Sequence, residues 1–326
     1  MNQLSDLERL TALEEIKLLK ARRDRAADTH DWDLYESLHA PDHRSYGDDY
    51  GQWTSAAQMI ANVKRAMRGL LTLHHSHTPM IDFQTAEKAK GVWAMKGMSF
   101  WQQNGEPRWF LAFGHYFEEY EKRAGIWKFT SRRLKYYHTE RSPGAIFPPE
   151  IDAVEAADAQ PVATPVAIVP QPAEMSDLDR LLAVHAIEDI KSRRDYAVDH
   201  KDWDAYLALH APDHQSLNDG HDSWTSAQEM IAAVRGLLGP DKTSVHHSHT
   251  GEIVFSTPTR AIGIWPMEDQ IFWEADGQSH WLHGLGFYHE TYEKRDGRWL
   301  FTTRRLKRTH VHTTSEPLTA EATTAA

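Results

Sequence analysis

The chain of 326 residues contains no cysteine. Disulfides, thiolate nucleophiles and zinc–thiolate centres are therefore excluded. Long hydrophobic runs are missing too, with no stretch approaching the roughly 18 apolar residues of a membrane span. Positive charge is in deficit: 36 Lys and Arg stand against 47 Asp and Glu, a net charge of −11. Nucleic-acid binding relies on basic patches that neutralise phosphate, and this balance works against it. No basic-then-apolar leader is visible, so a cytoplasmic protein with no membrane attachment is expected.

What the chain has is repetition. The stretch from Ser5 to Lys135 recurs from Ser176 to Lys307. Arg22-Arg23-Asp24 returns as Arg193-Arg194-Asp195, Asp28 as Asp199, and Asp31-Trp32-Asp33 as Asp202-Trp203-Asp204. His74-His75-Ser76-His77-Thr78 returns as His246-His247-Ser248-His249-Thr250. Packing alone would hold apolar character at such positions, not a particular cluster of imidazoles.

The repeat divides the chain into domain 1 (1–138), a Pro/Ala-rich linker (139–174), domain 2 (175–312) and a Thr/Ala/Glu-rich tail (313–326) expected to be disordered. The start of the linker, Ser142 to Pro149, carries Ile146-Phe147 and is expected to dock on domain 1. Within each copy helices precede strands. Ser5 caps a helix whose stripe is Leu7, Leu10, Ile16 and Leu19 and which runs to about Asp28. A second helix is predicted from Asp31 to His39, stopping at Pro41 (Pro212 in the second copy), and a third begins near Thr54-Ser55 (Thr225-Ser226). From His74 the pattern is extended. Asn104-Gly105, Ala124-Gly125, Asp276-Gly277 and Asp296-Gly297 mark tight hairpins. Helices segregated from antiparallel strands indicate an α+β fold.

This order, with Asp ending helix one and His opening the long strands, resembles the SnoaL-like group of the nuclear-transport-factor-2-like superfamily, cone-shaped α+β barrels. Its markers are Ala-Ala-Asp28 and Ala-Val-Asp199 before Asp-Trp-Asp, the two His-His-Ser-His-Thr segments, and Tyr-Glu-Lys-Arg-x-Gly-x-Trp. Met175 to Leu181 looks like the start of the hexachlorocyclohexane dehydrochlorinases, with scytalone and bile-acid dehydratases as more distant relatives. The resemblance spans both copies and implies two tandem cones, each with N-terminal helices packed in a curved, mainly antiparallel sheet.

Carried over by position, the resemblance puts an Asp–His dyad at Asp28 with His74 and at Asp199 with His246. A neutral imidazole can remove a proton near pH 7, and a carboxylate on its other nitrogen fixes the tautomer and stabilises the imidazolium. Arg23 and Arg194 fall where relatives place a cationic or phenolic pocket residue. They either accept charge developing on a leaving group or pair with carboxylates such as Asp24 and Asp195. Arg132 and Arg304 resemble a further pocket arginine, and Tyr116 and Tyr288 a pocket aromatic. His75 and His77, one residue apart on a strand, invite a metal reading with His115 or His289. The copies differ at the third position, since His115 matches Phe287 and Phe117 matches His289, and the related lyases use no metal. Neither a metal nor another cofactor is expected. Gly97 against Asp269, Met98 against Gln270 and Leu111 against His283 make the second copy the more polar.

The function expected is a cofactor-independent lyase, of dehydratase or dehydrohalogenase type, abstracting a proton from a hydrophobic cyclic or aromatic small molecule. The alternatives are an isomerase or cyclase with the same dyad, or a non-catalytic small-molecule binder. The copies are expected to pair within one chain or through a homo-oligomer.

Overall fold

Ser5 closes the N-terminus of the first helix with a capping box, accepting from the Glu8 N–H while the Glu8 carboxylate accepts from the Ser5 N–H at 2.8 Å. The computed structural model describes residues 4–47, 51–147, 172, 174–218, 223–275 and 277–313. They fall into two units, residues 1–166 and 167–326.

Unit 1 runs α1 (Asp6–Asp28), α2 (Trp32–Ser37), β1 (His39–Gly47), β2 (Gly51–Trp53), α3 (Ala56–Ala66), β3 (Leu71–Thr85), β4 (Lys88–Gln103), β5 (Glu106–Arg123) and β6 (Ile126–Arg141). Its six-stranded sheet has the order β2-β1-β6-β5-β4-β3, with β1 parallel to β6 and the other pairs antiparallel. Unit 2 repeats this as α4 (Asp177–Asp199), α5 (Trp203–Ala208), β7 (His210–Asn218), α6 (Ala227–Leu237), β8 (Lys242–Ser248), β9 (Glu252–Thr257), β10 (Arg260–Ala275), β11 (Gln278–Arg295) and β12 (Arg298–Thr313). Here β8 and β9 replace one long strand, both pairing with β10. Each unit is the α+β cone, helices against one face of a curved mixed sheet. No helix of the described residues is long and apolar enough to cross a membrane.

Three expectations change. The first helix does not bury all of its expected stripe: Leu7 and Leu10 are exposed while Ile16 and Leu19 are buried. At 3.6 residues per turn Leu7 lies on the opposite side of the helix from Ile16. The second helix ends at Ser37, and Pro41 sits inside β1. A proline is accommodated there because the β1–β6 ladder is irregular between His39 and Arg44. At His77 and Thr78 the strand is irregular, because the β3–β4 register jumps from Ser76 to Pro79. His75 is consequently buried and His77 exposed, rather than sharing a face.

Two bulges between β5 and β6 curl the sheet. At one of them Gly114 is required, because a Cβ there would lie 2.1 Å from the Lys135 carbonyl oxygen. The turn residues Asn104 and Gly105 both adopt positive φ, 56° and 78°, as a tight hairpin demands. β6 continues to Arg141, beyond residue 138, and the following residues fold back, Phe147 stacking on Phe110 with centroids 4.0 Å apart. Residues 148–171 and 173 of the linker, and the tail from 314, lie outside the described residues.

Candidate active site

Helix α1 changes character halfway along. Its second half buries Lys20, Arg23, Asp24 and Asp28 together with Ala26 and Ala27. Lys20, Asp24 and Asp28 are spaced by four and so form one stripe facing the sheet interior. Charges in such a place persist only when paired and hydrogen-bonded, and each of these is.

Asp28 ends the helix, where the helix dipole disfavours a carboxylate. Three donors compensate. Asp28 Oδ1 accepts from the Thr72 hydroxyl at 3.1 Å and lies 2.5 Å from His74 Nδ1, while Oδ2 accepts from the His74 backbone N–H at 2.8 Å. The carboxylate thus holds both the backbone and the ring of one histidine. Unit 2 repeats the arrangement: Asp199 accepts from Ser244 Oγ at 2.9 Å and from the His246 N–H at 2.9 Å, and lies 2.6 Å from His246 Nδ1. A carboxylate at Nδ1 puts the proton on that nitrogen and leaves the lone pair on Nε2. Burial pushes the Asp28 carboxyl above its ordinary range, against the pull of His74. Asp199 is pulled below it: burial again opposes, but the hydrogen bonds and charge of His246 prevail. The side chain of Asp199 is 16 % exposed and that of Asp28 only 2 %, so water still offsets part of the cost of the second charge.

One turn earlier, Asp24 accepts from Arg23 Nη1 at 2.9 Å and from Ser76 Oγ at 2.5 Å, with Lys20 Nζ at 3.8 Å. Lys20 donates to Glu118 at 2.7 Å, Glu118 accepts from the Tyr120 hydroxyl at 2.6 Å, and Trp93 Nε1 donates to that hydroxyl at 2.7 Å. Burial lowers the Lys20 ammonium to about 8, although Asp24 and Glu118 oppose it. The twins Lys191, Asp195, Glu290, Tyr292 and Trp265 reproduce the network. Sequence reasoning missed Lys20 and Glu118 and the pairing between them. The signal that could have found them is the Lys-x-x-x-Asp-x-x-x-Asp spacing, present in both copies.

The other expected residues gather in the same interior. Arg23 is buried, but its Nη1 goes to Asp24 and its Nη2 to the Tyr35 hydroxyl at 2.8 Å. Arg194 is likewise committed to Asp195 and Tyr206. Of the two alternatives for these arginines, the geometry favours ion pairing. Arg132 lies 4.2 Å over the Tyr116 ring and Arg304 4.4 Å over Tyr288. Burial raises the Tyr116 hydroxyl to about 12 and also raises that of Tyr288, which has no hydrogen-bond partner among the described residues. Both phenols stay protonated near neutrality and are donors.

Helices over a curled mixed sheet, with an Asp–His pair inside, describe a recognised class of domain. Residues 8–133 and 179–305 match the SnoaL-like domain, and the chain belongs to that family as a tandem pair. Among solved structures, a type 2 hexachlorocyclohexane dehydrochlorinase is 20% identical with a TM-score of 0.40, the alignment covering 45% of this chain and 99% of that one. The type 3 enzyme from Novosphingobium barchaimii is 21% identical, TM-score 0.39, covering 44% and 98%. A protein provisionally described as a scytalone dehydratase, from Novosphingobium aromaticivorans, is 21% identical, TM-score 0.39, covering 42% and 91%.

Proposed function

We propose that each unit is a cofactor-independent lyase in which His74 or His246 removes a proton from carbon of a hydrophobic cyclic or aromatic substrate. The observation that carries this reading is the Asp–His contact, 2.5 Å and 2.6 Å in the two units, with the same carboxylate also fixing the histidine backbone. Nε2 accepts the proton, and Asp28 or Asp199 stabilises the imidazolium that forms. The C–H electron pair becomes the new double bond, and the neighbouring carbon loses hydroxide or halide with its bonding pair. A protonated Tyr116 or Tyr288 hydroxyl, buried under Arg132 or Arg304, offers the departing group a hydrogen bond.

The test is turnover of a panel of cyclic alcohols and cyclic chlorides, with alkene and chloride release as readouts. The His74→Ala/His246→Ala double variant is expected to lose roughly 10²–10⁴ of the rate, the usual worth of a general base, while ligand affinity is kept. Unchanged turnover would remove the base from the mechanism. Proton return to the substrate without release of a leaving group would make the protein an isomerase.

A further inference from the structure

The two dyads do not face the same surroundings. In β4, Gly97 is the ladder partner of His74, and a Cβ built there would meet only the end of the Met95 side chain, at 3.2 Å. In unit 2 the partner of His246 is Asp269, a carboxylate with no exposure to solvent. Two further exchanges accompany it. Ala112, across from Gly97, becomes Gly284 across from Asp269, and Tyr136 becomes Arg308. Gly284 is needed, because a Cβ there would fall 2.0 Å from Asp269 Oδ1. Arg308 Nη2 donates to Asp269 Oδ2. A larger side chain, the space for it and its counter-ion have changed together, which marks a built feature. Gln270 and His283 pair with each other in the ladder and by alternation face away from the dyad, so Asp269 is the polar exchange that matters here.

Asp269 Oδ1 is buried and accepts no hydrogen bond among the described residues. Leaving a carboxylate oxygen so is costly unless a ligand, or an ordered water that a ligand can displace, supplies the donor. Burial works to raise this carboxyl, but Arg308 and His246 hold it below the ordinary range, so it remains an acceptor at neutral pH. Because Arg308 comes with it, the added pair leaves the charge balance of the cone unchanged. The ligand group matched to Oδ1 is therefore a neutral donor rather than a cation.

We infer that the two cones divide their substrates: the second takes a ring bearing a hydroxyl that donates to Asp269, and the first takes an apolar ring where Gly97 and the flexible end of Met95 stand in place of a carboxylate. The assignment of substrates rests on the proposed active site, but its test is binding and needs no turnover.

The experiment uses the full chain and two isosteric probes, phenol and toluene, followed by the ring ¹H–¹⁵N resonances of His74 and His246, assigned with the single His→Ala variants. Phenol is expected to shift His246 at concentrations at least tenfold below those that shift His74, and toluene to show the reverse preference. Asp269→Asn should weaken phenol at His246 by roughly tenfold or more, the scale of a hydrogen bond to a charged group. The double variant Asp269→Gly/Arg308→Tyr should give the second cone the toluene preference of the first. Equal responses of both histidines, no response of His246 to phenol, or an Asp269→Asn protein that binds phenol unchanged would each overturn the inference. A protein with no lyase turnover but intact probe selectivity would sink only the proposed reaction.

Discussion

Asp28 and Asp199 each hold a histidine through two hydrogen bonds and accept a third from a hydroxyl, of Thr72 and of Ser244, yet burial raises the proton affinity of the first carboxyl while that of the second is lowered. The side chains differ in solvent contact, 2 % against 16 %, and the more buried carboxyl is the one that is raised.

The two cones should therefore respond differently to acid. A carboxyl with a raised pKa takes up its proton earlier as pH falls, and a protonated Asp28 no longer orients His74 as a base. With His246→Ala isolating the first cone and His74→Ala the second, the loss of rate that follows protonation of the carboxyl is expected at higher pH for the first. Coincident limbs would contradict the assignment.

Asp28→Asn keeps the shape of the side chain but removes its charge and one acceptor. Turnover in the first cone is expected to fall by about 10²–10⁴, the range associated with acid–base groups, with kcat affected more than KM. Steady-state kinetics in the His246→Ala background measures it.

Lys20 and Glu118 are both fully buried and bonded at 2.7 Å. Lys20→Met leaves an uncompensated charge on Glu118, and a loss of about 3–5 kcal/mol is expected. The double variant Lys20→Met/Glu118→Gln should recover much of it. Urea unfolding of the four members of the cycle gives the coupling.

Stability should fall on mild acidification. Burial lowers His43 and His214 to about 4 and takes His39 and His210 well below the ordinary value. In the unfolded chain these groups protonate near pH 6.5. Folding thus favours their neutral forms: the contribution is complete above about pH 6.5 and drains away as pH drops towards about 4. The urea midpoint, followed from pH 7 to pH 4, should decline with proton uptake on unfolding. In a His43→Gln/His214→Gln protein the slope should be shallower.

Much of this was legible in the residues, and what was not has physical causes. Ser5, Ser55 and the Asn104-Gly105 turn act locally, and the structure puts helix starts and a hairpin where they indicate. Leu7 and Leu10 were misleading because hydrophobic character does not say which side of a helix meets the sheet. The strand β1 was hidden by Pro41, which normally argues against a ladder. Asp28 and His74 were found through resemblance, 46 residues apart in sequence. Lys20 escaped because a lysine is read as solvated by default, and the tertiary partner that joins Asp24 in making its burial tolerable, Glu118, is 98 residues away.

The stripe of Lys20, Asp24 and Asp28 has a mechanical corollary. Helix α1 is bolted to the sheet at three successive heights, through Glu118, Ser76 and His74. To swing it outward would strip several ions of their partners at once. On the proposed mechanism, traffic of molecules into and out of the cone would be served by the parts not fastened in this way, and the rod that carries Asp28 would be the least suitable door.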